Sequence, residues 1–349
     1  MSDEYLLKNK EIFCEELGKS RFSLGDLYLL RSSGKKLRLL KFGDIADHKF
    51  INKFKEAKGK VVLDRMVNNK WIDGISNLFL DMQNSRLHVD NEKIRLEILK
   101  EFKKIYWEGI APGSVVDLFI AGERAFYSFD DELTALLQES NSVYYQRSAL
   151  KGFLAVISAL LMGYVDYKFL RDVYHICYLF DYVFFKKHGL TYNITQAQEM
   201  ERITQDSGFY LLAKQFESKN ELEMFQDHLE LGTILASGDC GKYFYNKSII
   251  NLINYHHEKI DGSGFARGAN HSEVSDIELI IMALGQMISY DFMDLTFDDG
   301  KCFFKNMISL HTIENECSIN RYFMMVQKIF NEINIEQKTD DEVGEDLVA

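Results

Sequence analysis

The chain has 349 residues, is 46% hydrophobic and carries a formal net charge of −12 at pH 7. It is long enough for two modules with separate cores. The acidic balance excludes nucleic acid as the main partner, because phosphate-backbone binding needs clustered Lys and Arg. The five cysteines are scattered without a CxxC pair, so we predict neither a zinc knuckle nor a disulfide framework, and a reducing cytoplasm is expected.

Two features of the sequence concern membranes and export. The first five residues carry acids where a secretory signal needs basic and then apolar residues. The most apolar stretch, residues 152–165, is shorter than the roughly 20 residues that cross a bilayer. We therefore expect neither export nor a membrane span, and a cytoplasmic location.

The first 66 residues alternate strand-like and helix-like patterns. A turn-rich segment at residues 31–34 separates two β-like runs, which predicts a hairpin. In chain order we expect a helix, the two hairpin strands, a helix and a further strand over residues 5–17, 26–30, 35–41, 47–58 and 61–64. Residues 1–66 are therefore predicted to form a small α/β module.

Helical spacing of apolar residues dominates the rest of the chain. We predict a helical connector over residues 67–141, a helical domain over 142–335 and an acidic, disordered tail over 336–349. The fold class is mainly α, with the α/β module at the N terminus. Helices of the C-terminal domain are expected at residues 149–165, 169–185, 194–203, 221–237, 247–257 and 277–293.

One stretch of the helical domain has the composition of a functional site. His256, His257 and Glu258 end an apolar run, and a glycine-rich loop follows at once. Neighbouring residues of an α-helix point about 100° apart, so the two histidines suit two ions side by side better than one. Glycines at 262 and 264 permit positive φ and a loop that folds over a ligand. A chance pair of core or surface histidines is the weaker interpretation, because neither capping nor packing requires this order.

The string from His256 to Gly264 resembles the second half of the HD-GYP signature. In that signature His-His-Glu and then Asp-Gly-x-Gly-Tyr-Pro follow an earlier His-Asp pair; here Phe265 stands for the tyrosine and Ala266 for the proline. Proteins of that family are bacterial, metal-dependent phosphodiesterases that hydrolyse cyclic di-GMP. The resemblance implies an all-helical HD-GYP-like domain over residues 142–335.

The resemblance also implies which metal-ligand positions survive. They are Asp181, His228, His256 and His257, with Asp181 as the aspartate of the His-Asp pair. Four nitrogen and oxygen donors imply one divalent ion (Fe, Mn or Zn) or none.

Other positions of the implied centre have lost their ligand chemistry. Phe180 stands where the histidine of the His-Asp pair is expected, Phe184 where a lysine is expected and Gly285 where an aspartate is expected. An early histidine is expected near Arg147, but none occurs between His88 and His175. Several lost ligands should cost far more than the roughly 10- to 100-fold typical of one lost supporting partner.

The glycine-rich loop is expected to contact a ligand. Its candidate residues are Asp261, Gly262, Gly264, Phe265 and Arg267. A guanidinium can pair two phosphate oxygens at once, so Arg267 is the best single candidate for a phosphate contact. A solvated loop arginine is an equally good interpretation.

Two functions from different classes follow from the resemblance. The first is a degenerate HD-GYP protein with impaired catalysis, kept as a regulator or interaction protein in cyclic di-GMP signalling. The alternative is an active metal-dependent cyclic di-GMP phosphodiesterase with a reduced metal centre. The candidate partners are cyclic di-GMP, another protein or a second copy of the chain, and metal content separates the two classes.

Overall fold

The computed structural model of the protein describes a discontinuous set of residues, on which all that follows rests. They are 10–12, 22–23, 25–30, 34–41, 43–45, 60–64, 69–111, 113–140, 142–182, 186, 232–234, 236–259, 262, 274–288 and 317–333.

A four-stranded antiparallel sheet occupies the N-terminal part. Its strands are β1 (Lys10–Ile12), β2 (Asp26–Leu30), β3 (Lys36–Leu40) and β4 (Lys60–Asp64), in the spatial order β1-β4-β2-β3. The predicted hairpin is confirmed, since β2 pairs directly with β3, and so is the strand at 61–64. The helix expected at 5–17 is wrong at residues 10–12, which pair with β4 as an edge strand. The helix expected at 47–58 falls outside the described residues.

Helices make up most of the remaining described chain, which confirms the mainly α fold class. They are α1 (Asn69–Asn84), α2 (His88–Phe102), α3 (Val115–Phe126), α4 (Asp131–Ser140), α5 (Ser142–Leu161), α6 (Tyr167–Ile176), α7 (Asp276–Met287) and α8 (Cys317–Glu332). A π-helical turn (Lys103–Trp107) extends α2, and two 3₁₀ helices (Gly241–Tyr243 and Lys247–Tyr255) precede the histidine pair.

Local sequence explains where α3 and α7 begin. In both, a serine caps the helix and an acid follows three residues later. The serine hydroxyl accepts from the backbone N–H of the acid, and the carboxylate of the acid accepts from the backbone N–H of the serine. In α3 the backbone N–H of Ser114 donates to Asp117 over 3.0 Å, and in α7 that of Ser275 donates to Glu278 over 2.7 Å.

Helix α5 lies at the centre of the helical part. Every residue from Arg147 to Leu161 is buried, and the helix packs against α2, α3, α4, α6, α7 and α8. Gly152 lets α6 approach closely, because a Cβ there would lie 2.7 Å from Cδ2 of Tyr174 and 2.9 Å from its carbonyl oxygen.

A single cluster of buried apolar side chains extends from Phe22 to Ile333. It contains residues of α1 to α4 as well as α5 to α8, so the helices at 69–140 share a core with those that follow. Near the sheet, Phe22 contacts the rings of Phe119 and Tyr145 at centroid distances of 5.6 Å. The domain boundaries at 66, 141 and 335 stay a prediction.

Two helices differ from the sequence prediction near the candidate site. Helix α6 ends at Ile176 instead of continuing toward 185, and the segment expected as an α-helix at 247–257 is a 3₁₀ helix as far as Tyr255. Along the parts of the chain that the structure describes, no helix combines the length and apolarity needed to cross a membrane.

His175 is a fully buried histidine in the last turn of α6. Its Nε2 donates to the carbonyl oxygen of Phe126 over 2.9 Å, and its ring packs against Phe129 with centroids 4.4 Å apart. Burial, helped by the positive charge of Arg171, lowers the pKa of His175 to about 3. The core therefore holds this imidazole neutral.

This pKa predicts an acid-sensitive stability. Because the pKa is depressed in the folded chain, the unfolded chain binds the extra proton between pH 6.5 and 3. The contribution of His175 to the free energy of unfolding should therefore fall by about 2 kcal/mol from pH 7 to pH 5. Urea denaturation at both pH values should show this fall reduced in His175→Gln and unchanged in His88→Gln, a substitution at an exposed histidine. Equal pH dependence in all three proteins would contradict the assignment.

Candidate functional site

Three of the residues predicted as metal ligands come together in the structure. The ligand atoms of Asp181, His256 and His257 all lie within 4.8 Å of one another. Asp181 and His256 are buried, and His257 is partly buried. An acid that follows α6 thus meets a histidine pair that lies about 75 residues later in the chain.

Tight turns after α6 place Asp181. The backbone N–H groups of Tyr178, Leu179 and Tyr182 each donate to the carbonyl three residues earlier, over 3.1, 2.9 and 3.2 Å. These turns replace the expected continuation of the helix and carry Phe180 and Asp181 toward the histidines. The predicted partnership of Asp181 with the pair therefore depends on the helix stopping early.

The 3₁₀ helix fixes the position of His256. With three residues per turn, side chains three apart lie above one another. Ile250, Ile253 and His256 accordingly form one buried edge. The Asn246 side chain caps the start of this helix by accepting from the backbone N–H of Ser248 over 3.1 Å.

The two histidines lie closer together than an α-helix would allow. We expected side chains that diverge by about 100°, but the residues follow the 3₁₀ helix in a turn, and their ring centroids are 3.9 Å apart. Nδ1 of His256 donates to the carbonyl of Ile253. A carbonyl only accepts, so Nδ1 carries a proton in this contact.

A buried arginine accompanies Asp181. The Nη1 atom of Arg147 lies 3.4 Å from Oδ2 of Asp181, and Nε of Arg147 donates to the carbonyl oxygen of Ile288 over 2.6 Å. The side chains of the pair are only 5% and 11% exposed. The position that lacks the expected histidine therefore supplies a positive charge to the aspartate.

A second buried basic residue, Lys151, lies one helical turn further along α5. Its Nζ donates to the carbonyl oxygen of Gly285 over 3.3 Å and lies 5.7 Å from the ring centroid of Phe180. Burial lowers the pKa of Lys151 well below its usual value, and Arg147 lowers it further, while Asp181 raises it. Both basic side chains thus donate to carbonyls at the C-terminal end of α7.

Phe180 covers one face of His256. The two rings are stacked, with centroids 4.7 Å apart and planes inclined by 7°. The residue predicted to stand for the histidine of a His-Asp pair therefore brings an apolar ring to the site. Such a surface disfavours an ion that is not well paired.

Gly285, the predicted position of a lost aspartate, is in van der Waals contact with the histidine turn. A Cβ at this position would lie 2.1 Å from the carbonyl oxygen of His256 and 3.0 Å from its carbonyl carbon. Next to it, the side-chain amide of Gln286 donates to the carbonyl oxygen of Glu258 over 2.9 Å. Helix α7 therefore packs directly against the backbone where a ligand side chain would stand.

With the charges that surround it, the cluster does not fit a metal ion. Aspartate and imidazole donors suit iron, manganese or zinc, and three of them converge. However, Asp181 already has the guanidinium of Arg147 as its counter-charge, and Gly285 leaves no room for a ligand side chain at that position.

Of the other residues predicted to bind metal or ligand, the structure describes Gly262. Gly262 has the predicted positive φ, 75°, and its backbone N–H donates to the carbonyl of Lys259 over 2.9 Å. The residues outside the described part of the chain are His228, Phe184, Asp261, Gly264, Phe265 and Arg267. Their roles stay predictions.

Sequence reasoning missed the roles of Arg147 and Lys151. A signal for them existed, because they are the only charged residues of α5, four positions apart in an otherwise apolar helix. Like charges at this spacing on a helix repel each other. A buried pair of this kind implies anionic groups or carbonyls on the facing elements.

Comparison with protein-family models and with curated proteins found no match. Among solved structures, an HDG"Y"P protein from Bdellovibrio bacteriovorus, Bd1817, matches over 93% of this chain and 99% of its own, with 13% sequence identity and a TM-score of 0.34. A TM-score this low supports no conclusion about the fold or the function of this chain.

The contact at Gly285 gives a prediction with a matched control. Gly285→Ala should lower the free energy of unfolding by about 1–3 kcal/mol, because the added methyl group meets the backbone of His256. Gly74→Ala, in α1, meets nothing within 4 Å and should raise it by about 1 kcal/mol. Urea denaturation measures both changes. Two stabilising substitutions would contradict the close approach.

Proposed function

We propose that the protein is a degenerate HD-GYP protein that acts as a catalytically impaired regulator in cyclic di-GMP signalling. One observation carries the proposal. An aspartate chosen from the sequence as the partner of the histidine pair lies with that pair, within 4.8 Å. Around it, Phe180, Gly285 and Arg147 stand where the resemblance implies ligands.

Impaired catalysis follows from the groups around Asp181. Metal-dependent phosphodiester hydrolysis relies on a bound water whose pKa a metal lowers from about 15.7 to near 7. In the described residues, the aspartate is paired with Arg147 and the place of a further ligand is filled by contact between Gly285 and His256. A group that activates water is therefore not evident in this part of the chain, and we expect turnover at or near background.

In this proposal, binding of cyclic di-GMP is less impaired than its hydrolysis. The loop residues Asp261, Gly262, Gly264, Phe265 and Arg267 are proposed to contact the ligand, with the Arg267 guanidinium on a phosphate. The ring of Phe265 is proposed to keep the aromatic character of the tyrosine that it replaces. Binding to another protein or to a second copy of the chain, and a cytoplasmic location, belong to the same proposal.

A phosphodiesterase with a reduced metal centre is the second candidate. The convergence of Asp181, His256 and His257 favours it, because three nitrogen and oxygen donors within 4.8 Å can hold one ion. His228 is proposed as a fourth ligand in that case. The pairing of Asp181 with Arg147 argues against this candidate.

A turnover assay and a calorimetric titration on the same sample test the proposal. With manganese or ferrous iron present, we expect hydrolysis of cyclic di-GMP at background and measurable binding. Arg267→Ala should weaken that binding, and raising the salt concentration should weaken it in the wild type, because both remove attraction for phosphate.

Arg38→Ala provides a matched control for the loss of one positive charge. Arg38 is exposed on β3 in the N-terminal sheet, so its removal should leave the dissociation constant unchanged. If the wild type hydrolyses cyclic di-GMP rapidly and His256→Ala abolishes this turnover, the protein is the phosphodiesterase and the regulator proposal is wrong. If the protein neither hydrolyses nor binds cyclic di-GMP, only a protein-interaction role would remain.

A further inference from the structure

We propose that Arg147 keeps divalent ions out of the Asp181, His256 and His257 cluster by supplying the positive charge that a metal would otherwise bring. The inference rests on the proposed function only in treating the cluster as the remnant of a metal centre. Its evidence is the arrangement of charges around the three residues. Arg147 would then be a specificity-determining residue whose removal improves metal binding.

Two anchors hold the guanidinium of Arg147 in place. It lies 3.4 Å from the carboxylate of Asp181 and donates to the carbonyl oxygen of Ile288 over 2.6 Å. The second contact does not involve the cluster, so the guanidinium stays at the aspartate through packing between α5 and the end of α7. An ion that binds Asp181 would have to displace the Arg147 guanidinium, which Ile288 also holds in place.

Burial favours the Arg147 guanidinium over a metal ion as the partner of Asp181. With side-chain exposures of 5% and 11%, water screens the Arg147 and Asp181 charges weakly. A dication bound to Asp181 would lie within a few ångströms of the guanidinium and be repelled by it. A buried carboxylate needs one counter-charge, and here the chain provides it.

Lys151 lies one turn from Arg147 on the same helix, where its Nζ donates to the carbonyl oxygen of Gly285 over 3.3 Å. Burial and the charge of Arg147 lower the pKa of Lys151, so the positive charge fixed beside Asp181 is that of Arg147. The C-terminal end of a helix carries partial negative charge, so the end of α7 stabilises the guanidinium that donates to Ile288.

Titration with Co²⁺, followed by its visible absorption bands, tests the inference without any activity measurement. Wild-type protein should show no binding that depends on the cluster. Arg147→Gln removes the charge but keeps an amide donor for Ile288, and it should bind about one ion per chain at least tenfold more tightly. His256→Ala in the Arg147→Gln background should abolish the gain.

Two control variants separate charge from general loosening of the core. Arg147→Lys retains a cation and should behave as the wild type does. Lys103→Gln removes a buried lysine whose Nζ donates to the carbonyl of Ile333 over 2.6 Å and lies 3.1 Å from the Glu108 carboxylate, and it should leave Co²⁺ binding unchanged. A similar gain in Lys103→Gln would overturn the assignment to Arg147.

Other outcomes are also decisive. Wild-type protein that binds Co²⁺ as tightly as Arg147→Gln, or a folded Arg147→Gln without any gain, would overturn the inference. If Arg147→Gln does not fold on its own, as judged by circular dichroism, Co²⁺ should restore its fold, because the bound ion would supply the missing counter-charge of Asp181. No restoration by Co²⁺ would overturn the inference.

The inference and the proposed function fail separately. Tight Co²⁺ binding by a wild-type chain that does not hydrolyse cyclic di-GMP would overturn the inference alone. A chain that excludes Co²⁺ and does not bind cyclic di-GMP would overturn the proposed ligand and leave the role of Arg147 intact.

Discussion

The buried carboxylate of Asp181 needs a positive charge beside it, and the candidate site is arranged around the way the chain provides one. Leaving a buried charge unpaired costs several kcal/mol, roughly 3–5 by analogy with broken buried ion pairs. Arg147 supplies the counter-charge from α5 and is tied to the end of α7 through Ile288. One ionic contact thereby connects α5, the turn after α6 and α7.

Gly285, the predicted position of a lost ligand, is also a place where two elements pack closely. At Gly285, α7 touches the carbonyl of His256, and the carbonyl of Gly285 itself accepts from Lys151. An aspartate at 285 would need the room that the histidine turn occupies. A helix contact at Gly285 and an internal ion pair of Arg147 with Asp181 thus occupy the place where the resemblance implies a metal.

The sequence predicted regular elements well and their ends poorly. The turn-rich segment between two β-like runs predicted the β2–β3 hairpin. Helical spacing predicted the helices α1 and α2, because their buried residues recur three and four positions apart. The stop of α6 at Ile176 was missed, since Tyr178, Leu179 and Phe180 continue the apolar pattern without a breaker. The 3₁₀ form of 247–255 was missed for the same reason, because apolar spacing alone does not separate three from 3.6 residues per turn. The place of Arg147 depends on residues far apart in sequence, so only tertiary packing reveals it.

A double-mutant cycle between Arg147→Gln and Asp181→Asn, measured by urea denaturation, tests the central claim most directly. The account predicts a coupling free energy of about 1–3 kcal/mol, because each single substitution leaves a buried charge unpaired and the double substitution leaves none. The same cycle on the exposed pair of Asp90 and Lys93, 3.9 Å apart, should give no more than about 0.5 kcal/mol. Additive effects of the Arg147 and Asp181 substitutions, within about 0.5 kcal/mol, would contradict the claim that Arg147 serves as the counter-charge of Asp181.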